Sequence, residues 1–311
     1  MDSNNGISES IHIDATISEV VISAYLIVTF IGWFGNTNVI IATVRNRALQ
    51  NPCNILIAIQ SFCELFHQAA HAITAYFIYT GNYFITVKPC LYLQFVSNIF
   101  MQFASFLVLS IGVDRIFCVS FAISYNKMNK TVYIIGMMIP AGLYTIMQLA
   151  VAYISDQNDT LIVCSINAIY TGLSQVFFAV GGCLLNMIVI VIYAIMWIIV
   201  RKETSASSNK RLIKSLIVIV AFVVFGYYAT MLIFSTTLIF HMDPVSSFYA
   251  IMGGGMFVNV SVACNFFILY WLCADYRAAF RRQLRLRPSE VTDVVTINQS
   301  CNYAHRSSPH K

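Results

Sequence analysis

Long apolar runs alternate with short polar gaps along this chain. A bilayer's hydrocarbon core of about 30 Å takes roughly 20 residues of helix to cross. Seven runs reach that length, at about 18–44, 54–80, 88–120, 131–153, 170–200, 212–240 and 247–272. The second is the most interrupted, because Gln60, Glu64, His67, Gln68 and His71 fall inside it. The stretch 156–168 is mixed and predicts a loop. The pattern predicts an all-α membrane fold, a bundle of seven transmembrane helices over residues 18–272.

After the last run the periodicity changes. In ADYRAAFRRQLRLR, Tyr276, Phe280 and Leu284 fall four residues apart, while Arg277, Arg281, Arg282, Arg285 and Arg287 take the other positions. That spacing predicts a short amphipathic helix over 273–287, lying on the membrane surface and held by apolar contact and anionic lipid. A calmodulin-binding segment is the rival reading. Residues 288–311 predict a disordered tail, and residues 1–17 form a polar, acidic N-terminal segment. With no basic start and no apolar core, that segment does not read as a secretory signal.

Composition agrees. Of 311 residues, 59% are hydrophobic and only 10% charged, and the mean hydropathy is +0.74. A soluble chain of this length needs far more polar surface. Charge then gives direction. The gaps after runs one, three and five, together with the tail, hold 17 of the 18 Lys and Arg residues, Lys88 being the exception. By the positive-inside rule the C-terminus is expected in the cytosol and the N-terminus outside.

Within this frame, Asp114 and Arg115 form an acid–base pair at the cytosolic end of run three. Cys90 lies 25 residues earlier, a rise of about 37 Å at 1.5 Å per residue, so the two mark opposite ends of one helix. Here the chain resembles the rhodopsin-like G-protein-coupled receptors, whose third helix begins with a cysteine and ends in Asp-Arg-Tyr. DRI stands in for that ending. GNTNVI resembles the first-helix Gly-Asn-x-x-Val, giving Asn36. NILIAIQSFCEL resembles the second-helix motif, with Glu64 where Asp is usual. NFFILY resembles Asn-Pro-x-x-Tyr, with Asn265 kept, Phe266 for Pro and Tyr270 near the Tyr position. YRAAF resembles the start of the eighth helix. The sixth helix departs: Tyr227 and Ala229 fall where Trp and Pro are usual. The fifth lacks its proline and the fourth its tryptophan. This set of losses is similar to the nematode chemoreceptor-like serpentine receptors of class SX.

The resemblance implies a chemosensory receptor that binds an extracellular small molecule or short peptide and activates a heterotrimeric G protein. Arrestin and a receptor kinase are further implied partners, and the plasma membrane, in particular a sensory cilium, is the implied location. It implies a disulfide between Cys90 and Cys164. It implies a switch of Asp114, Arg115, Tyr193, Asn265 and Tyr270, in which Arg115 leaves Asp114 for Tyr193, Tyr270 and the G protein. The Glu that often restrains this Arg from helix six is replaced by Asn209, so raised basal activity is expected. It also implies an interior polar network of Asn36, Glu64, Ser261 and Asn265. The third-helix Ser that completes a sodium site in that family is Ala104 here. A protonated Glu64 bonded to Asn265 or Ser261 is the expected alternative to the ion. The inward face of run three offers Gln94, Ser97, Asn98, Met101 and Gln102 to a ligand pocket, and run six adds Tyr227 and Tyr228. Ser97 stands where amine receptors carry Asp, which disfavours an amine.

Glu64, His67 and His71 share one helical face. A carboxylate inside a span marks function by default, so a seven-span channel or transporter using Glu64 and His67 as a proton relay is the second reading. His-x-x-x-His has metal-ligand spacing, yet no further ligand cluster accompanies it, and neither metal nor cofactor is expected. Nor does the chain carry a nucleophile–base set or a phosphate loop, so no enzyme is expected. Nucleic-acid binding is discounted because the basic residues crowd the membrane surface. Among the glycosylation sequons, Asn158 lies in an outer loop and is the candidate; Asn129 and Asn298 are cytosolic on this topology, and Asn259 is inside a span.

Overall fold

In the computed structural model, residues 14–155, 160–202 and 207–286 are described. The polypeptide forms α1 (Ala15–Arg45), α2 (Pro52–Tyr79), strand β1 (Phe84–Thr86), α3 (Val87–Ser120) and the short α4 (Ala122–Lys127). There follow α5 (Lys130–Ile154), strand β2 (Leu161–Val163), α6 (Leu173–Lys202), α7 (Ser207–Ile239), α8 (Pro244–Ala263), α9 (Asn265–Leu272) and α10 (Ala274–Gln283). Helices α1, α2, α3, α5, α6, α7 and the broken pair α8–α9 are the seven members of the bundle. Among the described residues, six of these are long and apolar enough to cross a membrane by length and composition. Helix α2 falls short because its buried face carries Gln60, Glu64, His67, Gln68 and His71.

The bundle is apolar outside and polar within. Ile27, Phe30, Leu143, Ile146, Leu184 and Val191 are exposed, whereas Asn36, Glu64, Gln68, Gln94, Asn98 and Asp114 are buried. That inversion is what a lipid solvent requires.

Helix starts are set by short polar side chains that accept the first free N–H groups. Asp14 caps α1 through Ile17 N at 3.1 Å. Asn51 caps α2 through Asn54 N at 2.9 Å, with Pro52 in the first turn, where its missing N–H costs nothing. Asn129 caps α5 through Thr131 N at 3.0 Å, and Asp243 caps α8 through Ser246 N at 3.0 Å.

The mixed stretch expected as a loop carries β2, which pairs antiparallel with β1, Phe84 against Val163 and Thr86 against Leu161. Both tripeptides are rich in β-branched residues, which suit a pleated strand. One residue beyond the ladder, Cys164 bonds Cys90 at the start of α3, with the two Cα atoms 5.6 Å apart. The ladder and disulfide pin the α5–α6 connection over one end of the bundle, the disulfide end. At the opposite end, α10 folds back on α1. Tyr276 is buried and its hydroxyl lies 3.0 Å from Thr43 Oγ1, and Gln283 donates to Asn38 Oδ1 at 2.6 Å. Arg277 donates from Nε to the Tyr270 carbonyl at 2.9 Å and from Nη2 to that of Trp271 at 2.7 Å. It thereby satisfies carbonyls left free where α9 ends. Helix α10 buries Tyr276, Ala279 and Phe280, and Leu284, the third residue of the expected stripe, lies just past its end and is half-buried. Arg287 and the tail lie outside the described residues.

Candidate functional site

Below the pinned loop lies a cavity with about 740 Å³ of open space, its mouth included. Its wall draws on every bundle helix and on the loop itself. Tyr25 comes from α1, His67 and His71 from α2, Met101, Gln102 and Ser105 from α3, and Ser165, Ile166 and Asn167 from the loop. Phe178 and Asn186 come from α6, Tyr227, Thr230 and Met231 from α7, and Met252 and Asn259 from α8. Among the described residues, neither Lys, Arg, Asp nor Glu belongs to the wall.

The polar groups of the wall are tied across helices. Glu64, fully buried, sits behind it. Its Oε2 lies 2.7 Å from His67 Nδ1, one helical turn away on the same face. Its Oε1 accepts from the Tyr227 hydroxyl at 2.8 Å. Glu64 thus joins α2 to α7 through the bundle's interior. Above it, His71 Nε2 lies 2.8 Å from Asn259 Oδ1, and since the Asn259 amide donates to Gly255 O at 2.8 Å, His71 is the donor. The Tyr25 ring packs 4.6 Å from that of His71, and its hydroxyl donates to the Met252 carbonyl. Thr230 donates to the Gly254 carbonyl at 2.7 Å. Helices α1, α2, α7 and α8 are therefore laced together where the cavity meets them.

The expected pocket residues divide. Met101, Gln102 and Tyr227 line the cavity. Gln94 and Asn98 instead hold neighbouring backbone: Gln94 donates to the Ala70 carbonyl at 3.3 Å, and Asn98 to that of Ile166 at 3.1 Å. Ser97 is buried and Tyr228 half-buried, both away from the wall. Tyr170 bridges the two groups, accepting from Gln102 Nε2 at 2.6 Å and donating to Asn98 Oδ1 at 3.1 Å.

The expected link from Glu64 to Asn265 or Ser261 is not formed, and this corrects the sequence reading. Both Glu64 oxygens are already taken by His67 and Tyr227. Ser261 donates to the carbonyls of Phe222 and Phe257 at 3.1 and 2.7 Å. Asn36 and the Asn265 Oδ1 are buried without a side-chain hydrogen bond among the described residues.

At the α10 end, Asp114 is fully buried. Arg115 Nε stands 3.8 Å from Asp114 Oδ2, an ion pair without hydrogen-bond contact. The closer partner is Tyr125 of α4, whose hydroxyl donates to Asp114 Oδ1 at 3.0 Å. Burial, and then the adjacent Asp114 carboxylate, push the Tyr125 hydroxyl well above its ordinary pKa, so it remains a donor. Tyr193 is buried with its hydroxyl unpaired among the described residues. Its ring is seated on Gly112, where an added Cβ would stand 2.7 Å from Tyr193 Cε2. Tyr270 stacks on Phe266 with centroids 6.3 Å apart. Of the switch residues, Asp114 alone is an ion-pair partner of Arg115 among the described residues, and Tyr193 and Tyr270 make contacts of their own.

Several site residues escape sequence reasoning. Asn186 interrupts the apolar run CLLNMIVIVIY, and an amide there is a signal in itself. Thr230 sits three residues after Tyr227, on the same face. Tyr125 and Asn259 carry no such local mark. Among the described residues no cluster of three or more His, Cys, Asp or Glu fit for a metal occurs. Asn158, Asn298 and Asn209 lie outside the described residues or their described side chains.

Compared with known families, residues 29–284 match the family model described as serpentine type 7TM GPCR chemoreceptor Srsx. No curated protein matches the chain.

Proposed function

Since the chain belongs to the serpentine type 7TM GPCR chemoreceptor Srsx family, we propose that it detects an uncharged small molecule in the cavity beneath the disulfide-pinned loop and activates a heterotrimeric G protein. The family is a class of membrane receptors rather than of enzymes. One observation carries the ligand reading. The cavity is walled by all the bundle helices and, among the described residues, lacks a Lys, Arg, Asp or Glu in its lining, so an ionised ligand buried there meets no such counter-ion on the wall. Apolar side chains such as Met101, Phe178 and Met231 suit the body of a small amphiphile.

In this reading the receptor stands in the plasma membrane with the disulfide end outside and α10 on the inner leaflet, a sensory cilium being its site of use. Ligand favours the state it binds more tightly. In that state α7 swings outward at its inner end, and Arg115 exchanges Asp114 for Tyr193, Tyr270 and the tail of a G-protein α subunit. Arrestin and a receptor kinase act on the tail, and a glycan occupies Asn158.

The test is a screen of uncharged odorants on cells expressing the chain with a promiscuous G-protein reporter, beside Arg115→Ala. Responses that vanish in the variant, while surface expression persists, support the proposal. Responses that survive in the variant sink the coupling step. The buried Glu64–His67 contact favours a second reading, a proton-conducting channel or transporter. Epitope tags on intact cells decide between them, since a cytosolic N-terminus defeats the receptor topology.

A further inference from the structure

The lining names residues but not the atom that a ligand meets. That atom follows from where a proton sits, given the ligand-binding reading of the cavity. His67 belongs to the wall and Glu64 stands behind it. His67 commits Nδ1 to Glu64 at 2.7 Å, while Nε2, on the far edge of the ring, makes no hydrogen bond among the described residues. Glu64 takes its second hydrogen bond from Tyr227.

With Tyr227 donating to Oε1, three proton placements satisfy these contacts and leave no carboxyl hydrogen without an acceptor. An ionised Glu64 with a neutral His67 donating from Nδ1 leaves a net negative charge and a bare Nε2. An ionised Glu64 with a doubly protonated His67 is net neutral, with hydrogen on Nε2. A protonated Glu64 donating to Nδ1 is also net neutral, and the histidine's own hydrogen is then on Nε2.

The first placement buries an uncompensated charge, which is costly. The groups facing the pair offer no relief. Tyr227 from α7 is a neutral donor already engaged, and Ser105 from α3 and Tyr25 from α1 are neutral hydroxyl groups on the same wall. Cys63 adjoins Glu64 on α2, and neither thiol nor thiolate brings a positive charge. His71 donates to a neutral amide oxygen, and its ring lies 6.4 Å from that of His67, so a charge on it would lack a counter-ion in contact. Both surviving placements put hydrogen on Nε2.

We propose that Glu64 is a positioning residue that shares one proton with His67, so that His67 presents an N–H to the cavity and the ligand is an uncharged molecule anchored there by an acceptor oxygen or nitrogen. The carboxyl does not touch the ligand. It fixes which edge of the imidazole faces the cavity and what that edge carries. Through Tyr227 the same carboxyl ties the anchor point to α7, the helix proposed to move.

The test needs neither a ligand nor a G protein. The full chain, labelled with nitrogen-15 histidine and held in lipid nanodiscs, is read by NMR, and His67 is assigned by the resonances lost in His67→Phe. A protonated-type Nε2 resonance is expected. Glu64→Gln should preserve it, because the glutamine N–H donates to Nδ1 while its oxygen keeps the Tyr227 bond. An unprotonated-type Nε2 in the wild type overturns the proposal, as does its appearance only in Glu64→Gln. A second arm measures thermal stabilisation of the purified chain by matched esters, alcohols, carboxylates and alkanes of one carbon skeleton. Stabilisation by uncharged oxygen-bearing members, kept in Glu64→Gln and lost in His67→Phe, supports the anchor. Stabilisation confined to alkanes or carboxylates overturns it. A protonated Nε2 with no stabilisation by any member counts against the cavity as a ligand site and so overturns the anchor, while upholding the shared proton.

Discussion

Replacing Tyr170 by Phe removes one oxygen and keeps the ring, which stacks on Phe178 at 4.2 Å with the planes 8° apart. That oxygen accepts from Gln102 Nε2 at 2.6 Å and donates to Asn98 Oδ1 at 3.1 Å. All three side chains are almost wholly buried. A neutral hydrogen bond contributes about 0.5–1.5 kcal/mol net, and a buried polar atom left without a partner costs about 1–3 kcal/mol. Gln102 lines the cavity, so its amide has space to turn, whereas Asn98 is also held to the Ile166 carbonyl at 3.1 Å and does not. The loss is therefore about 2 kcal/mol if Gln102 turns and about 4 kcal/mol if it stays. Equilibrium unfolding of the purified chain in micelles measures it, with Asn98→Ala and the double variant completing a cycle. A coupling of about 1 kcal/mol between the two sites is expected, because both single changes remove one shared bond. A Tyr170→Phe protein within about 0.5 kcal/mol of wild type, the range of neutral surface changes, refutes the bridging role.

Cys90→Ser should lower the thermal midpoint, with an upper bound of about 4–5 kcal/mol from chain entropy for a sequence separation of 74; the β1–β2 ladder and the helices already restrain that loop. In the wild type a membrane-impermeant thiol reagent should reach neither Cys90 nor Cys164 until reduction, and labelling of both beforehand contradicts the bond. Gly112→Ala drives a methyl to 2.7 Å from Tyr193 Cε2 and 2.9 Å from Ile192 Cγ2; overpacking of this kind costs about 1–3 kcal/mol, read as a lower thermal midpoint, and an unchanged midpoint shows that α3 and α6 slide apart freely. The Asp243 carboxylate is held below its ordinary range by hydrogen bonds from Ser246 first and from Val245, so its contribution is present above the usual aspartate pKa and is lost as pH falls through the lowered one. Wild type should lose more thermal stability on acidification than Asp243→Asn, whose cap does not titrate; parallel pH profiles exclude the cap's role.

Periodicity carried the bundle because it is written residue by residue. A stretch such as MIVIVIYAIMWIIV is apolar on all sides, and a bilayer leaves it few alternatives to a helix. Helix α2 was legible for a different reason. Its polar residues Glu64, His67 and His71 repeat at helical spacing, so the interruption itself pointed inward. Partners across the bundle were not legible. Tyr227 meets Glu64 over 163 residues of sequence, and His71 meets Asn259 over 188, and nothing local records such a meeting. The same limit misplaced Gln94 and Asn98. They do face inward from α3, but the loop after Cys164 descends far enough to take Asn98 at Ile166. Loop depth is set by the disulfide and strand ladder together, and the ladder was hidden in a stretch too short to show alternation.

The break before α9 occurs without a proline. Proline at this point in related receptors interrupts the helix by removing an N–H; this chain has Phe266 there. The helix nevertheless ends at Ala263 and restarts at Asn265, with Cys264 between. Across the break Cys264 still donates to the Val260 carbonyl at 2.9 Å and Ile268 to that of Cys264 at 3.0 Å. Phe266, just past it, has a seat on the first helix. Gly35 of α1 leaves room for its Cβ, which would stand 2.8 Å from a side chain there. The ring then contacts Phe34 at 5.5 Å and Phe280 of α10 at 4.5 Å. A glycine on the first helix thus seats the aromatic that follows the break. The ring of that aromatic packs the Asn265 segment on α10, so a motion of α9 must be felt by α10.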